Sequence, residues 1–314
     1  MTGSSVACTA SFRLRLPATS ANLGSGFDAV AVALSFYLDV EAHPAEQFSI
    51  DATGRDAERC SHLDDNLILN VYQKTLLDHG KPVTPLALRM INDIPLGMGC
   101  GSSAAGRLAA IAMAVHYGAL GWDSSRILEE ASALEGHPDN AAACWLGGFV
   151  AASCDGPAVE IAQVVPPVEW RAIIALPANP LSTSKARAVL PDQYSRADVV
   201  ANLQAVSMLG LAFSQGRGDL LKVAMKDRIH QPYRLPICSL LASLLPLAGK
   251  QGILGVSLSG AGPAVLIIVE HEVSIQAAME LIQASVNDLS EIELRVCRFE
   301  PSGARFLVPS IGSH

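Results

Sequence analysis

The sequence has no closely spaced pair of cysteines, and this absence argues against two common ways of holding a fold together. Its seven cysteines are scattered, their number is odd, and no Cys-x-x-Cys pair occurs. A disulfide framework and a structural zinc site are therefore disfavoured. We expect free thiols, as in a protein of the reducing cytoplasm.

An excess of basic residues is also missing. The chain carries 22 Lys and Arg against 30 Asp and Glu, and its formal net charge is −8. A basic surface for nucleic acid is therefore not expected. Local positive pockets for small anions stay possible, because the net charge does not describe a cleft.

A membrane-spanning or secretory segment is not indicated either. The uncharged stretch Gly252 to Val269 is long enough to raise the question. It contains four glycines and a proline, which favour two buried strands around a glycine-rich turn. Met1 to Ala10 is rich in Ser and Thr and has no apolar core, unlike a signal peptide. We expect a cytoplasmic protein with no membrane partner.

The length of 314 residues suggests two domains, and no internal repeat interrupts the chain. Adjacent prolines at Pro166-Pro167 cannot continue a helix or a central strand. We therefore predict a boundary between residues 165 and 166, giving domains 1–165 and 166–314.

Apolar periodicity predicts mixed helices and strands on both sides of this boundary. The predicted elements of the first part are strands at Phe12–Leu16, Ala29–Leu34, Tyr37–Ala42 and Leu86–Asn92, and helices at Asn66–Leu77, Ser102–Tyr117 and after an N-cap at Asp123. Those of the second part are strands at Trp170–Leu176, on either side of Ser257–Pro263 and at Glu291–Glu300, and helices at Asp198–Ser214, Leu240–Leu247 and around Ala277–Ile282. The second part reads as an α+β layer with helices on one face of an antiparallel sheet.

The segment Pro95-Leu-Gly-Met-Gly-Cys-Gly-Ser-Ser-Ala-Ala-Gly106 has the clearest chemistry. Its alternating Gly97, Gly99 and Gly101 can turn successive N–H groups toward one anion, and the helix predicted from Ser102 adds its N-terminal dipole. The loop has no lysine and matches neither GxxxxGK[ST] nor a dinucleotide GxGxxG. On glycines alone, a flexible turn before a helix remains the alternative to a phosphate site.

Four segments in order along the chain resemble motifs of the homoserine kinases, within the GHMP kinase superfamily. They are Pro17-Ala-Thr-Ser-Ala-Asn-Leu-Gly-Ser-Gly-Phe-Asp28, the loop Pro95–Ala105, Glu135-Gly-His-Pro-Asp-Asn140 and Ser257-Leu-Ser-Gly-Ala-Gly-Pro263. The resemblance implies a two-domain α+β GHMP kinase fold. Its N-terminal ATP domain would be of the ribosomal S5 domain 2 type and its C-terminal domain of the ferredoxin-like type.

ATP and Mg²⁺ are the cofactors that the resemblance implies. The matching ATP positions are Asn66, Pro95, Gly97, Met98, Gly99, Cys100, Gly101, Ser102, Ser103 and Ala104. The metal would be held by Ser102 and Glu135, with Glu129 and Glu130 as alternatives because the spacing to the last motif varies in the family. Cys100 replaces the family's usual Leu, and we expect it to pack beneath the loop.

The resemblance also implies an amino-acid substrate, L-homoserine. The matching positions are Asn22, Asp28, His137, Asn140, Thr183, Arg187 and Arg234. Asp28 would pair with the ammonium group, and the two arginines with the carboxylate. An Asx turn remains the alternative for Asp28, as a solvated surface charge does for each arginine.

Three residues are expected to take part in catalysis, namely Asn140, Ser102 and Glu135. Related kinases for mevalonate and galactose carry an aspartate, read as a general base, where we align Asn140. An amide cannot accept a proton at neutral pH. We therefore hypothesise that the substrate hydroxyl attacks the γ-phosphoryl group directly, with Asn140 orienting it.

The leading hypothesis is thus a kinase that converts L-homoserine to O-phospho-L-homoserine on the way to threonine, in a chain that forms a homodimer as the family commonly does. One alternative is another GHMP kinase, for mevalonate or a sugar. A second is a non-catalytic binder of nucleotide or amino acid on the same fold. A third is a structural domain whose glycine-rich turns are coincidental.

Overall fold

The computed structural model describes residues 11–156, 158–286 and 292–307. The elements up to residue 164 are β1 (Phe12–Asn22), β2 (Gly26–Pro44), β3 (Ser49–Gly54), α1 (Ala57–Ser61), α2 (Leu67–Asp78), β4 (Leu86–Asn92), α3 (Ser102–Gly118), α4 (Ser124–Glu135), α5 (Asp139–Leu146), β5 (Phe149–Cys154) and β6 (Val159–Val164).

The remaining elements are β7 (Arg171–Pro177), α6 (Thr183–Ala188), α7 (Arg196–Gln215), α8 (Leu221–Ala224), α9 (Gln231–Arg234), α10 (Ser239–Leu244), β8 (Ile253–Leu258), β9 (Val265–Val269), α11 (Ile275–Ser285), β10 (Ile292–Cys297) and β11 (Arg305–Phe306). Short 3₁₀ turns at Gly218–Leu220, Leu235–Ile237, Leu245–Leu247 and Glu272–Ser274 join several of the helices.

The first sheet has seven strands, in the order β11-β1-β2-β4-β3, with β5 joining β2 to β6. Its spine is β2, a single strand of 19 residues. The prediction of two strands at Ala29–Leu34 and Tyr37–Ala42 was therefore wrong. The register shifts opposite Pro17 and Ala18, which pair with Tyr37 and Leu34. Such a bulge interrupts the alternating pattern without ending the strand.

The alanine-rich helix α3 packs against this sheet and against α2 and α4. It starts at Ser102, as predicted, and its alanines are almost completely buried. Asn66 caps α2 and Asp123 caps α4 through side-chain oxygens that accept backbone N–H groups. These predicted helix starts are confirmed.

The second sheet is antiparallel, in the order β10-β7-β9-β8. The stretch from Gly252 to Val269 is two strands around a turn, as predicted. One sheet face packs on α10 and α11, and the other joins the main core together with α7 and α8. Helices therefore cover both faces of this sheet. Successive residues of β7 and β9 are accordingly buried, so neither face of these two strands is exposed to solvent. The prediction of helices on one face was wrong in this respect.

The two prolines Pro166 and Pro167 lie between β6, the last strand of the first sheet before them, and β7 of the second sheet. The chain returns to the first sheet near its end, because β11 pairs with β1 and Phe299 bridges to Leu34. The boundary between residues 165 and 166 stays a prediction.

Helix α7 is the one helix in the described part of the chain that is long and apolar enough, by length and composition, to cross a membrane. Its Leu209, Ala212 and Phe213 are buried in the main core. Asn202 on the same helix donates a hydrogen bond to the Ser25 carbonyl at 2.6 Å. These contacts tie α7 to the body of the protein.

Candidate active site

A cleft of about 390 Å³ opens between the glycine-rich loop and the helices α4, α5, α6 and α9. Most of the predicted site residues line it. They are Asn22, Asp28, Gly97, Gly99, Gly101, Ser102, Ser103, Ala104, Glu135, His137, Asn140, Thr183, Arg187 and Arg234. Phe27, Arg107, Asp139, Leu181, Gly260 and Ala261 complete the lining. The fold thus gathers around one space segments that are as far apart in the chain as Asn22 and Gly260, which are separated by 238 positions.

The loop can adopt its shape only with glycine at its key positions. Gly99 and Gly101 have φ of +81° and +73°. A Cβ on Gly99 would lie 2.1 Å from the Ser259 carbonyl oxygen, and one on Gly101 would lie 1.9 Å from Thr19 Oγ1. Thr19 and Ser259 also hold the loop, since the Thr19 N–H donates to the Cys100 carbonyl at 3.1 Å and Ser259 Oγ donates to the Gly99 carbonyl at 2.8 Å. The start of α3 lines the cleft, so the N–H groups of its first turn, which have no partner within the helix, can bind an anion there.

Three of the predicted loop residues face away from the cleft. Met98 and Cys100 are buried in the core, and Pro95 lines a separate groove. Burial raises the pKa of the Cys100 thiol to about 12. Cys100 is therefore the small packed hydrophobe that the sequence predicted, and any contact of these three with a nucleotide would come from the backbone.

A second cavity of about 360 Å³ adjoins the cleft and shares Ser102 and Ser103 with it. Its walls include the apolar side chains of Leu38, Ile68 and Met90. If the phosphates of a nucleotide bound to the glycine-rich loop, the second cavity would therefore offer an apolar space for its base.

Asn66 lines this second cavity, but its amide is fully used by the protein. Nδ2 donates to the carbonyls of Cys60 and His62 at 3.2 and 2.9 Å, while Oδ1 accepts from Ile68 and Leu69 N–H at 3.0 and 3.2 Å. Two donors and two acceptor positions exhaust the capacity of a carboxamide. Asn66 shapes the cavity wall, and its predicted place near the adenine stays a prediction.

The predicted metal ligands Ser102 and Glu135 both line the cleft. Glu135 ends α4, where Gly136 turns the chain with φ of +81°. The alternatives, Glu129 and Glu130, lie next to Arg126 in ion pairs and line neither cavity. A hydroxyl and a carboxylate are hard oxygen donors, so the residues present fit a magnesium ion.

Glu135 also has a partner that the sequence analysis missed. Arg107 Nη1 donates to the Glu135 carboxylate and to Ser103 Oγ. Arg107 lies one helical turn after Ser103, so the spacing of four residues within the predicted helix α3 was the signal that could have identified it.

Asp28 and Arg187 form a bidentate ion pair at the other end of the cleft. Arg187 Nη1 and Nη2 donate to the two Asp28 carboxylate oxygens at 3.0 and 2.7 Å. The hydrogen bond to Asp28 raises the pKa of Arg187. Asn22 Oδ1 accepts the Asp28 N–H at 2.9 Å, and Asn22 Nδ2 donates to the Gly260 carbonyl at 2.8 Å. The two residues predicted to bind opposite charges of one substrate thus neutralise each other across the cleft.

Arg234 is almost completely buried at this end of the cleft, with 1% of its surface exposed. Its Nε donates to the Ala186 carbonyl at 3.0 Å and its Nη1 to His230 Nδ1, also at 3.0 Å. Burial lowers the pKa of Arg234, and the charge of Arg187 lowers it further. Both guanidinium groups lie over the ring of Phe27, at 5.4 and 5.5 Å from its centroid. Positive charge is therefore concentrated here with few anionic partners.

His230 fixes the orientation of Arg234. Its Nε2 lies 2.8 Å from the Gly24 carbonyl, to which it must donate, so Nδ1 is left as the acceptor for Arg234. Burial lowers the pKa of His230 to about 4, which keeps the ring neutral. Asp227 holds the start of α9 by accepting the backbone N–H groups of Ile229, His230 and Gln231.

Helix α5, which the sequence analysis did not predict, presents Asn140 to the middle of the cleft. Thr19 Oγ1 donates to Asn140 Oδ1 at 2.7 Å. The buried Asp139 accepts from the Asn140 N–H and bonds His137 Nδ1, each at 2.6 Å. Burial alone would lower the pKa of His137, but the hydrogen bond to Asp139 and the nearby carboxylates outweigh it and the pKa is raised. Thr19 thus connects Asn140 to the glycine-rich loop, through its hydroxyl on one side and its backbone N–H on the other.

Thr183, at the start of α6, also lines the cleft, and its neighbour Ser182 caps that helix. The residues that sequence analysis missed are Thr19, Phe27, Arg107, Asp139 and His230. Thr19, Phe27 and Asp139 lie inside segments already singled out, and His230 directly precedes Gln-Pro-Tyr-Arg234. Only their tertiary contacts identify what each of them does.

Residues 66–148 match the family described as GHMP kinases N terminal domain, and residues 211–287 match the family described as GHMP kinases C terminal. Among curated relatives, a homoserine kinase from Solibacter usitatus is 42% identical over 273 residues, covering 87% of this chain and 89% of the relative. A homoserine kinase from Synechocystis is 36% identical over 298 residues, covering 94% of this chain and 97% of the relative.

The crystal structure of homoserine kinase from Cytophaga hutchinsonii is similar in fold. It superposes with a TM-score of 0.79 at 23% sequence identity, covering 98% of this chain and 99% of the other. The fold of this chain is thus a known one.

Proposed function

The chain belongs to the homoserine kinases of the GHMP kinase family, and from this membership we propose that it transfers the γ-phosphoryl group of ATP to the side-chain hydroxyl of L-homoserine. The observation that carries the proposal is the division of one cleft into two ends. The loop and the start of α3 offer N–H groups for phosphate, while Asp28, Arg187 and Arg234 offer charges of both signs for an amino acid.

The Asp28–Arg187 pair is suited to a zwitterion. When homoserine enters, its ammonium group can replace Arg187 beside Asp28, and its carboxylate can bind Arg187 and Arg234. Each partly buried charge of the pair then exchanges one partner for another, so little desolvation cost is left uncompensated. Mevalonate has a carboxylate but no ammonium group, so it would draw Arg187 away and leave Asp28 unpaired. A neutral sugar offers neither charge and gives the pair no reason to open. Both are therefore disfavoured.

Phosphoryl transfer needs positioning and charge stabilisation more than covalent help from the protein. The substrate oxygen forms a bond to the γ-phosphorus, the bond from that phosphorus to the β–γ bridging oxygen breaks, and ADP leaves. We propose that Asn140, held by Thr19 at 2.7 Å, orients the attacking hydroxyl. The hydroxyl proton goes to the transferred phosphate or to water, since an amide is no base. The N–H groups at the start of α3 stabilise the charge that develops on the phosphate.

Magnesium would be held by Ser102 and Glu135 and would offset negative charge on the phosphate oxygens. Both residues line the cleft, which supports this assignment. A requirement for Mg²⁺ is therefore part of the proposal.

A substrate panel with coupled detection of ADP tests this function. Homoserine, mevalonate, galactose and threonine are each supplied with ATP, with and without Mg²⁺. We expect turnover that needs the metal and prefers homoserine. Equal rates with another alcohol would favour a different GHMP kinase, and thermal stabilisation by ATP and homoserine without turnover would favour a non-catalytic binder.

We further propose a cytoplasmic homodimer. Several apolar side chains of α7 are exposed, among them Val200 at 45% and Leu203 at 58%. A face of this kind is typical of a surface that another protein covers. Light scattering on the purified chain tests the dimer, with Leu203→Glu as a variant expected to shift the mass toward the monomer.

A further inference from the structure

Arg107 has a position in the cleft that the proposed reaction does not yet use. It lies one turn into α3, and its Nη1 donates both to Ser103 Oγ and to the Glu135 carboxylate. The Arg107 side chain is 21% exposed and that of Glu135 is 10% exposed, so the pair is largely shielded from water. An arginine is therefore held directly against the residues predicted to bind metal and phosphate.

The other two arginines lining the cleft belong to its opposite end. Arg187 is engaged by Asp28, and Arg234 by Ala186 and His230. The glycine-rich loop itself contains no lysine. Of the three arginines that line this cleft, Arg107 is the one beside the loop.

We propose that Arg107 is a ligand of the nucleotide phosphates, kept in the empty cleft by Glu135 and Ser103 and released onto the phosphates when Glu135 turns to magnesium. A guanidinium group suits this role, because its planar set of donors binds two phosphate oxygens at once. The inference rests on the proposed function only in that the cleft binds ATP. It does not depend on which alcohol is phosphorylated.

Electrostatics favours Arg107 both in the empty cleft, where it pairs with Glu135, and in the nucleotide-bound cleft, where it would pair with phosphate. Without nucleotide, a shielded Glu135 carboxylate lacking a partner would be costly, and Arg107 supplies that partner. A metal ion arriving alone must compete with Arg107 for the carboxylate and is repelled by its charge. A nucleotide adds several negative charges and allows both cations to remain. Metal and nucleotide should therefore favour each other's binding through Arg107.

Two binding measurements with opposite expected signs test this role. The first is calorimetric titration of ADP with EDTA present, and the second is binding of Mn²⁺ without nucleotide, followed by electron paramagnetic resonance. In Arg107→Met we expect affinity for metal-free ADP to fall about tenfold, as for loss of a charge-assisted hydrogen bond. Affinity for Mn²⁺ should rise several-fold, because its competitor is gone. Arg107→Lys should keep part of the ADP affinity.

Arg126→Met is the matched control, since Arg126 pairs with Glu129 and Glu130 on α4 and lines neither cavity. It should leave both affinities unchanged. A second variant, Glu135→Gln, frees Arg107 in the empty cleft. We expect it to bind metal-free ADP at least as tightly as the unaltered protein while losing affinity for Mn²⁺.

Three outcomes would overturn the proposal. One is an Arg107→Met variant that binds metal-free ADP within twofold of the unaltered protein and melts at a lower temperature, which is the behaviour of a structural ion pair. Another is Mn²⁺ affinity that falls together with ADP affinity in Arg107→Met. The third is a Glu135→Gln variant that binds metal-free ADP more weakly. Failure of the homoserine assay alone would leave these measurements unaffected.

Discussion

The two ends of the cleft are built in different ways. The phosphate end comes from one stretch, the loop Gly97–Ser103 and the start of α3, and what it offers a ligand is mainly backbone N–H groups. The acceptor end is made of side chains between Asn22 and Arg234, and its Asn22, Asp28, Arg187 and Arg234 are each held by a partner distant in the chain. Substitutions at the phosphate end should therefore weaken binding of the nucleotide, and substitutions at the acceptor end should weaken binding of the amino acid.

The two ends also differ in how charge is stored. At the acceptor end, Asp28 and Arg187 satisfy each other in a fork and must open for the substrate. At the phosphate end the loop presents uncharged donors, and an ion pair beside it joins Arg107 to Glu135. The two ends lie apart in the cleft, and the hydrogen bond between Thr19 and Asn140 lies between them.

The largest effect is expected at the phosphate end, from Gly101→Ala. The new Cβ would lie 1.9 Å from Thr19 Oγ1, so the loop must move. A displacement of about 1 Å at a reacting group costs on the order of 100-fold in rate. We expect kcat/KM to fall by about that factor or more, with weaker ADP binding measured by calorimetry.

Gly80→Ala is the control for backbone strain, since Gly80 has φ of +65° but a Cβ there would meet nothing within 4 Å. It should leave activity unchanged. A Gly101→Ala variant with normal ADP affinity would show that the loop does not bind the nucleotide as described.

The next largest effect is expected at the acceptor end, from Arg187→Gln, and it should concern homoserine and not the nucleotide. Removing one member of a charge-assisted pair typically costs about 1.5–3 kcal/mol. We therefore expect KM for homoserine to rise roughly 10- to 100-fold while ADP affinity stays constant. Steady-state kinetics and calorimetry on the same preparation check both halves.

Arg217→Gln provides the matched control, because Arg217 forms a similar fork with Asp219, at 2.8 and 2.7 Å, but is exposed and outside the cleft. Equal changes in the two variants, or a loss of ADP affinity in Arg187→Gln, would remove the distinction between the ends.

A smaller effect is expected from His230, which acts through Arg234. In His230→Asn the amide oxygen replaces Nδ1 and can still accept from Arg234, whereas in His230→Gln the amide replaces Nε2 and keeps only the bond to Gly24. We expect KM for homoserine to rise about tenfold in the Gln variant and no more than about threefold in the Asn variant. Equal KM values in both variants, with equal losses of stability, would reduce His230 to a structural role.

The pH dependence of unfolding gives an independent readout for the same residue. Because burial lowers the pKa of His230 to about 4, the unfolded chain takes up a proton near pH 6.5 that the folded chain refuses. The stability from this group is complete above pH 6.5 and is lost as the pH falls toward 4. The His230→Asn variant should show a smaller loss over this interval in denaturant titrations.

The smallest effect concerns the link between the ends. If no carboxylate base is needed, Asn140→Asp should not raise kcat, and a modest decrease is expected because the added charge faces the phosphate. A substantial increase in kcat would contradict direct attack by the hydroxyl. So would an Asp139→Asn variant that abolishes turnover but binds both substrates normally.

The same contrast governs what the sequence alone could predict. The glycine pattern, the strand Leu86–Asn92 and the caps at Asn66 and Asp123 are local signals, and the structure has each of them where it was predicted. The division of β2 was wrong because a bulge imitates a strand end. Helix α5 was missed because its eight residues follow Pro138 and carry little periodic pattern.

At the acceptor end, motif resemblance located Asn22, Asp28, Arg187 and Arg234 but not their partners. That Asp28 meets Arg187, or that His230 is neutral, depends on packing between segments about 160 to 200 residues apart in the chain. Burial and hydrogen bonding of this kind have no signature in local sequence.

The most direct test of the two-ended cleft is to follow the phosphoryl group itself. A mixture of the protein, Mg²⁺, ATP and ¹³C-labelled L-homoserine is monitored by ³¹P and ¹³C nuclear magnetic resonance. We predict that ADP and O-phospho-L-homoserine appear in equal amounts, with phosphorus bound to the side-chain oxygen. Consumption of ATP that leaves the homoserine signals unchanged, or no consumption at all, would contradict the account.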